Sequence, residues 1–313
     1  MTKYQAIKEH IFSVNDFDYV GICPSSALEG EPEGHRPSDL LPNAKSIIVY
    51  ARRLIDGSVQ SKFRHIEDKV PLAIGSYSAH SFVLSINHLC MKETYDLAQY
   101  LEKDFNCFAM PVTNNVIQAV QPENDDYLPF FIDRYMAGLP IDIYKAAVAA
   151  GIGEMTWNHR VATPDNGPRI YICAIITDLE FEQYDAPYNG PKLCDPEKCH
   201  ICSDACPSHS LDAAKGEDVE ICGTTYKVGD INKYGCAASC FGFRKSLNPR
   251  TRGEVTVDNP DYDEYKKALL KHLEVPGIQT QDHVPMFHCD RCMIYCPIGN
   301  WEEKYRAKGL TKK

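Results

Sequence analysis

Two cysteine-rich segments limit what this chain can fold into more than any other feature. The first, residues 194–206, reads CDPEKCHICSDAC, the second, residues 289–296, reads CDRCMIYC, and a proline follows each. Short cysteine spacings that end in Cys-Pro are the ligand pattern of bacterial ferredoxins, in which the last cysteine of each run binds the cluster of the other run. The two runs therefore predict two [4Fe–4S] clusters that lie close together.

Two such clusters need about eight thiolates. The two runs supply Cys194, Cys199, Cys202, Cys206, Cys289, Cys292 and Cys296. The last ligand comes from the segment GCAASCF, in which either Cys236 or Cys240 could serve, and Cys236 is preferred. The assignment places Cys236 with Cys206, Cys289 and Cys292, and it places Cys296 with Cys194, Cys199 and Cys202.

The first run departs from the ferredoxin pattern, because four residues separate Cys194 from Cys199 where a strict run has about two. Without Cys194, the first cluster would have three ligands, or Cys222 or Cys240 would take its place. Structural zinc and disulfides are the alternatives to clusters. Zinc favours isolated CxxC pairs, and the repeated Cys-Pro ending is not typical of zinc sites.

Charge and hydropathy limit which partners the chain is expected to bind and in which cellular compartment it is expected to occur. The chain has 313 residues and a net charge of −10, without a long Lys/Arg run, so a nucleic-acid partner is not expected. We find no signal-peptide core, no export signal at the internal pair Arg52-Arg53 and no apolar run of membrane-spanning length, so no membrane partner is expected. These features predict a cytoplasmic protein with reduced cysteines. Small buried core residues are the interpretation for the cysteines outside the predicted ligand set, Cys23, Cys90, Cys107, Cys173, Cys222 and Cys240.

Hydrophobic patterning predicts alternating strands and helices up to residue 182. Strands are expected at 17–24, 46–54, 107–112 and 169–181, and helices at 4–13, 80–105 and 143–150. Residues 56–78 read as irregular, and residues 113–131 read as an exposed active-site or lid loop. Beyond these, we predict a short helix at 208–214, a hairpin strand at 221–228 and a helix at 260–274.

The segment GIGEMTWNHRVATPDNGPRIYICAIITDLEF, residues 151–181, together with the cysteine runs resembles a known superfamily. It is similar to the Gly-x-Gly-Glu, Asn, Thr-Pro, Gly-Pro-Arg and Thr-Asp-Leu series of cobalamin-dependent reductive dehalogenases and epoxyqueuosine reductases. RPSDLLPNAKSIIVYARRL is also similar to their N-terminal region, and the likeness covers most of residues 15–300. The resemblance implies an α+β fold: a nitroreductase-like α/β core, residues 1–185, that binds cobalamin and substrate, and a ferredoxin-like two-cluster domain, residues 186–313.

The resemblance further implies a base-off cobalamin against the glycine-containing loop. No Asp-x-His-x-x-Gly segment is present, so no histidine of that motif would replace the lower axial base. Glycine would allow the main chain to approach a flat ring closely, although Gly151 and Gly153 could instead merely cap the preceding helix. The candidates for contact with the corrin are Gly151, Gly153, Met155, Trp157, Asn158 and Thr163.

The proton donor is where the sequence departs from both families. Epoxyqueuosine reductases carry an Asp-Thr-Gly-Pro stretch before the glycine loop, but this chain has Ala-Gly-Leu-Pro at 137–140, with Asp142 close by. The resemblance to the dehalogenases implies a tyrosine assisted by an arginine or lysine, for which Tyr127, Tyr135 and Arg169 are available, and Tyr135 with Arg169 is preferred. The catalytic candidates are therefore Tyr135, Arg169 and Asp142.

The expected function is a cobalamin- and iron-sulfur-dependent reductase that cleaves a small-molecule substrate reductively at cobalt, in the manner of a reductive dehalogenase. A low-potential ferredoxin or flavodoxin would supply electrons, and a homodimer is compatible with this type of core. One alternative is an epoxyqueuosine reductase of tRNA modification, which the acidic charge and the missing aspartate disfavour. The other is a corrinoid-free iron-sulfur electron-transfer protein, or an activator that reduces the cobalamin of another protein.

Overall fold

The computed structural model describes residues 1–15, 17–70, 72–81, 89–112, 141–248, 251, 253–273 and 289–306. The predicted loop at 113–131 and the candidate Tyr135 lie outside these ranges. Within the ranges, no helix combines the length and the apolar character that a membrane crossing requires.

The described helices, numbered here in chain order, are α1 Lys3–Asn15, α2 Pro37–Leu40, α3 Asp56–Ile66, α4 Ala73–Tyr77, α5 Cys90–Phe105, α6 Ile143–Ala149, α7 Ile201–Asp204, α8 Lys233–Cys240, α9 Tyr262–Leu273 and α10 Arg291–Ile294. The described strands are β1 Tyr19–Pro24, β2 Ser46–Arg53, β3 Ala109–Val112, β4 Glu154–Met155, β5 Val161–Ala162, β6 Ile170–Thr177, β7 Leu211–Ile221 and β8 Thr224–Ile231. A 3₁₀ turn at Ser25–Leu28 and a π-helical turn at Glu302–Arg306 complete them.

A four-stranded antiparallel sheet in the order β1-β2-β6-β3 forms the centre of the fold. Strand β6 is buried along its whole length because it is apolar, rich in β-branched residues and covered on both faces. Side chains alternate along β2, so that Ile48 and Tyr50 enter one core while Ile47 and Val49 enter the other. The mixed α and β class is confirmed, and the nitroreductase-like and ferredoxin-like assignments stay predictions.

The two faces of the sheet carry different elements. Residues of α1, α3 and α5 pack on one face, together with Met293 and Ile294 of the second cysteine segment and Trp301, which follows it. Helix α6 and the β7–β8 hairpin pack on the other face. A third core joins α8 to α9 through Phe241, Phe243 and other residues. The second cysteine segment is therefore anchored directly to the core that covers the sheet.

Several local predictions are wrong. Residues 56–78 contain α3 and α4, and Leu211 begins strand β7 where a short helix was expected. Leu211 pairs with Ile231 of β8, and this tertiary pairing overrides the weak helical pattern of residues 208–214. The described part of the helix expected at 80–105 is α5, preceded by a π-helical segment at 78–81, and residues 82–88 lie outside the description.

Three of the cysteines expected to be reduced core residues differ from that expectation. Cys90 and Cys173 are fully buried but joined by a disulfide, since the first turn of α5 packs over β6 and brings their Cα atoms to 6.1 Å. Cys222 is exposed. It lies in the turn between β7 and β8, where it and Gly223 both have positive φ, as a tight hairpin turn requires.

Candidate metal centre

The two cysteine segments fold into short helical turns that contact each other. Helix α7 lies within the first segment and α10 within the second, and the two are in contact. Each turn ends at a cysteine that precedes a proline, Cys206 after α7 and Cys296 after α10. The segments are therefore neighbours in space although they lie far apart in sequence.

One group of thiols contains Cys194, Cys199, Cys202 and Cys296. Burial, followed by the neighbouring thiols of Cys194 and Cys199, raises the pKa of Cys202 to about 11. Burial also raises the pKa of Cys296 to about 12, and Cys194 and Cys202 contribute to that rise. Cys296, the last cysteine of the second segment, thus lies among cysteines of the first.

Cys194 belongs to this group despite its longer spacing from Cys199, and Glu154 provides the reason. The Glu154 carboxylate accepts hydrogen bonds from the backbone N–H groups of Leu193 at 2.9 Å and Cys194 at 3.2 Å. The backbone N–H of Trp157 donates to the Cys194 sulphur at 3.5 Å. These bonds fix the chain at Cys194, and sequence reasoning did not single out Glu154 for this.

A second group contains Cys206, Cys236, Cys240, Cys289 and Cys292. Burial raises the pKa of Cys236 well above its usual range, and the thiols of Cys240, Cys292, Cys289 and Cys206 add to the rise in that order. Cys206 also accepts a hydrogen bond from the backbone N–H of Ser210 at 3.3 Å. The last cysteine of the first segment therefore lies among cysteines of the second, and this group has one thiol more than the four that a cubane binds.

The donor set of both groups fits an iron-sulfur cluster, because soft thiolates are its ligands. Among the described residues, no three or more His, Cys, Asp or Glu side chains converge on a site for a single metal ion. A cubane differs from such a site, since each of its thiolates binds a different iron of the cage.

Arg169, a predicted catalytic residue, is 2% exposed and holds the second cysteine segment in place. Its guanidinium donates to the carbonyl oxygens of Cys296 at 2.8 Å and Met293 at 3.3 Å, and also to that of Ile298. It further lies over the Tyr305 ring, 5.7 Å from the centroid. These contacts give Arg169 a structural role, and a role in catalysis stays a prediction.

Asp142, the second described catalytic candidate, is the N-cap of α6. One carboxylate oxygen accepts hydrogen bonds from the backbone N–H groups of Tyr144 and Lys145, each at 3.0 Å. Burial raises the pKa of Asp142, while its bond with Lys145 opposes the rise. The carboxylate thus caps the N-terminus of α6, and its role as an acid stays a prediction.

Two substitutions separate capping from acid chemistry at Asp142. Asparagine is an equally good N-cap, so Asp142→Asn should leave the unfolding free energy nearly unchanged, whereas Asp142→Ala should cost about 1 kcal/mol. Urea unfolding of both variants measures the difference. Equal destabilisation by Asn and Ala would contradict the capping role, and loss of turnover in a fully stable Asn variant would support the acid.

The two glycines predicted to contact a corrin pack against the protein itself. Gly151 has φ +74°, and the Gly151 and Ile152 N–H groups donate back to Val148 and Ala147, which is a Schellman C-cap of α6. A Cβ atom on Gly153 would lie 2.1 Å from the carbonyl oxygen of Ala162 in the facing strand. Helix capping and close strand packing therefore account for both glycines.

The other four corrin candidates are buried and have partners within the protein. Trp157 donates from Nε1 to the Asp212 carbonyl at 2.7 Å, and its ring covers the glycines of the β7–β8 hairpin. Asn158 donates from Nδ2 to the Cys292 carbonyl at 3.1 Å. Thr163 and Met155 are 0% and 6% exposed. As described, these six residues do not fit an open surface for a planar ring, and their assignment to a corrin stays a prediction.

A small cavity beside the second thiol group was not foreseen from the sequence. Its volume is about 40 Å³, room for only a few water molecules, and its polar lining includes Tyr77, Ser81, Tyr144, Arg160 and Asp290. Tyr77 donates to the Asp290 carboxylate at 3.0 Å, and Arg160 donates to the Tyr144 hydroxyl. The position of Asp290 between two predicted ligands was a signal in the sequence; no sequence signal indicated Tyr77.

A buried cation completes the surroundings of this cavity. Lys62 is 3% exposed, and its Nζ lies 5.1 Å from the centroid of the Tyr77 ring. Burial lowers the pKa of Lys62, while Cys289 and Asp290 oppose the shift. Lys62 therefore places an amino group next to the second thiol group.

Comparisons with known proteins give structural likenesses at low identity. No family model matches the sequence. No curated protein matches it either. Among solved structures, the epoxyqueuosine reductase of Streptococcus thermophilus is similar, with a TM-score of 0.48 and 15% identity over 96% of this chain and 67% of that one.

Two further structures give comparable values. An epoxyqueuosine reductase with an epoxyqueuosine-modified tRNA-Tyr stem loop has a TM-score of 0.47 and 16% identity over 95% of this chain and 65% of that one. A structure of a reductive dehalogenase, whose description concerns B12-dependent dehalogenation, has a TM-score of 0.49 and 16% identity over 98% of this chain and 37% of that one. The chain thus spans about two thirds of the epoxyqueuosine reductases and about a third of the dehalogenase.

Proposed function

We propose that this protein is an iron-sulfur oxidoreductase with two [4Fe–4S] clusters. The ligands of one would be Cys194, Cys199, Cys202 and Cys296, and those of the other Cys206, Cys236, Cys289 and Cys292. The crossed grouping supports this proposal: Cys296 interacts with Cys194 and Cys202 of the first segment, and Cys206 interacts with Cys236, which also neighbours Cys289 and Cys292. The ferredoxin pattern predicts this exchange, whereas two independent zinc sites do not require it.

The residues around the thiol groups would position the clusters and keep water away from them. When bound, the clusters would supply one-electron transfer at low potential. Arg169 fixes the carbonyl oxygens that flank Cys296, and Asn158 fixes that of Cys292. With residues 186–313 as a ferredoxin-like domain, electrons from a ferredoxin or flavodoxin would enter there and leave towards residues 1–185.

The cavity next to the second group supplies polar groups for an electron acceptor. Burial raises the pKa of Tyr77 well above its usual range, and its hydroxyl donates a hydrogen bond to the Asp290 carboxylate. Interaction with Tyr144 raises the pKa of Arg160, which keeps a fixed positive charge at the cavity. A hydroxyl group and a cation thus line this cavity of about 40 Å³ beside the proposed second cluster.

The nature of the acceptor is the finer part of the proposal. The order of motifs supports a base-off cobalamin and a small-molecule substrate that is cleaved reductively, as in a dehalogenase; an epoxyqueuosine in tRNA is the alternative substrate. The second candidate function is a corrinoid-free electron-transfer protein or a cobalamin-reducing activator. One observation favours it: each glycine of the predicted corrin surface contacts the protein's own backbone.

Anaerobic reconstitution tests these functions in sequence. With iron and sulphide, the full chain should bind about eight irons, with the absorption of [4Fe–4S] clusters. It is then mixed with hydroxocobalamin and passed through a gel-filtration column. Corrin absorption in the protein peak would support the cobalamin-dependent reductase, and its absence would leave the electron-transfer function.

The controls define what would contradict each candidate. A chain that binds zinc but no iron would overturn the iron-sulfur proposal itself. If corrin co-elutes, activity on epoxyqueuosine in tRNA, without activity on a panel of haloaromatics, would identify the alternative substrate. Cys222→Ser is a matched control for loss of one cysteine, since Cys222 is exposed in the hairpin turn and should leave the iron content unchanged.

A further inference from the structure

The second thiol group contains a cysteine that the proposed cluster does not need. Cys236 and Cys240 both belong to α8, Lys233–Cys240, and are four residues apart. Residues at i and i+4 lie on the same face of a helix, with Cβ atoms about 6 Å apart. Both side chains are partly buried, so α8 presents two thiols in succession along one face.

The two thiols have overlapping but different surroundings. Cys236 interacts with Cys206, Cys289 and Cys292, which are the other proposed ligands of this cluster. Cys240 interacts with Cys289 and with Asp290, and a backbone hydrogen bond links it to Cys289. Cys289 is thus a neighbour shared by both.

A second feature separates the two positions. Cys240 also interacts with Tyr77 and Asp290, two residues of the cavity wall, whereas Arg160 interacts with both Cys236 and Cys240. Cys236 therefore lies at the centre of the thiol group, whereas Cys240 lies between that group and the cavity.

We propose that Cys240 is a substitute ligand for the second cluster: Cys236 binds the iron in the resting protein, and Cys240 can replace it on the same iron. The inference depends on the iron-sulfur function proposed above. Both positions are provided by one helix face, so the exchange would need a change of side-chain rotamer and no new fold.

The exchange conserves atoms and charge. The bond between iron and the Cys236 sulphur breaks, and a bond between the same iron and the Cys240 sulphur forms. The proton that the Cys240 thiol loses passes to the departing Cys236 thiolate. No electron is transferred and no other reactant is needed.

Serine variants of the full-length chain test the proposal through metal content and spectra, without an activity assay. The set is Cys236→Ser, Cys240→Ser, the double variant and Cys222→Ser as the control. Each is reconstituted anaerobically, and iron and sulphide per chain are measured together with the electron paramagnetic resonance (EPR) spectrum of the reduced protein.

Cys240→Ser should keep the wild-type iron content and spectrum. Cys236→Ser should also keep about eight irons, but with a changed spectrum, because a different cysteine binds the second cluster. The double variant should fall to about four irons.

Four results would overturn the proposal. They are loss of the second cluster in Cys236→Ser alone, loss in Cys240→Ser alone, an unchanged spectrum in Cys236→Ser, and retention of about eight irons in the double variant. Cys236→Ala repeats the test without a hydroxyl group that could itself bind iron. If both Cys236 variants fail to fold while Cys240→Ser folds, the substitute role is also refuted, and a wild-type chain without iron would refute the underlying function as well.

Discussion

Cys296→Ser should remove the cluster bound by Cys194, Cys199 and Cys202, although Cys296 belongs to the other cysteine segment. Its sulphur lies among those of the first group, so that group would retain only three thiols. We expect the iron content of the reconstituted chain to fall from about eight to about four atoms, because a cubane that lacks a ligand is readily lost. Iron and sulphide determination, with EPR spectroscopy of the reduced protein, measures the change.

Two double variants show which cluster is lost. Cys194→Ser combined with Cys296→Ser removes two ligands from the same group and should still leave about four irons. Cys292→Ser combined with Cys296→Ser affects both groups and should leave almost none, since the additional thiol of Cys240 neighbours Cys289 rather than Cys292. The reverse pattern, with about four irons left only in the second pair, would mean that each segment binds its own cluster and that the crossed assignment is wrong.

Arg169→Met should destabilise the protein by about 3 kcal/mol or more. Methionine fills a similar volume but donates no hydrogen bond, so the carbonyl oxygens of Met293, Cys296 and Ile298 lose their donor. An unsatisfied buried acceptor costs about 1–3 kcal/mol. Urea unfolding of the wild type and the variant under identical anaerobic conditions gives the difference.

Two further variants make this test specific. Arg64→Met removes an exposed arginine of α3 that is paired with Asp68. It should change the free energy of unfolding by less than about 1 kcal/mol. Arg169→Lys retains the charge but not the planar fork and should give an intermediate loss. A stable Arg169→Met protein that binds iron but has lost turnover would instead support the catalytic role predicted from the sequence.

The sequence predicts those parts of the fold in which burial follows a simple pattern. Strands β2 and β6 are continuous apolar runs, and both were expected where they occur. Helix α3 was missed because its buried face includes Ser58 and Lys62 as well as apolar residues. A helix that buries polar side chains has no clear hydrophobic period, and only the tertiary structure reveals the partners that make this burial possible.

In the candidate site, too, the sequence predicts some features, and only the tertiary structure reveals the others. Local spacing indicated the cysteines, whereas Tyr77 and Asp290, which are 213 residues apart in sequence, meet only in the folded chain. The glycine loop shows the converse. Gly151 and Gly153 stood out in the sequence as contacts for a flat ligand, but a helix end and a neighbouring strand explain both glycines. A pattern of glycines indicates that another group approaches the main chain closely. It does not distinguish whether that group is a cofactor or the protein's own backbone.

The exchange of cysteines between the two segments has a consequence for biosynthesis. A nascent chain that ends before residue 289 contains neither complete set of thiols, because Cys296 belongs to the first group and Cys289 and Cys292 to the second. On the proposed ligand assignment, neither cluster could be completed before residues 289–296 have been synthesised. Delivery of iron and sulphide would have to wait for that segment, and the cell would meanwhile have to protect the open thiols of the earlier segment from oxidants.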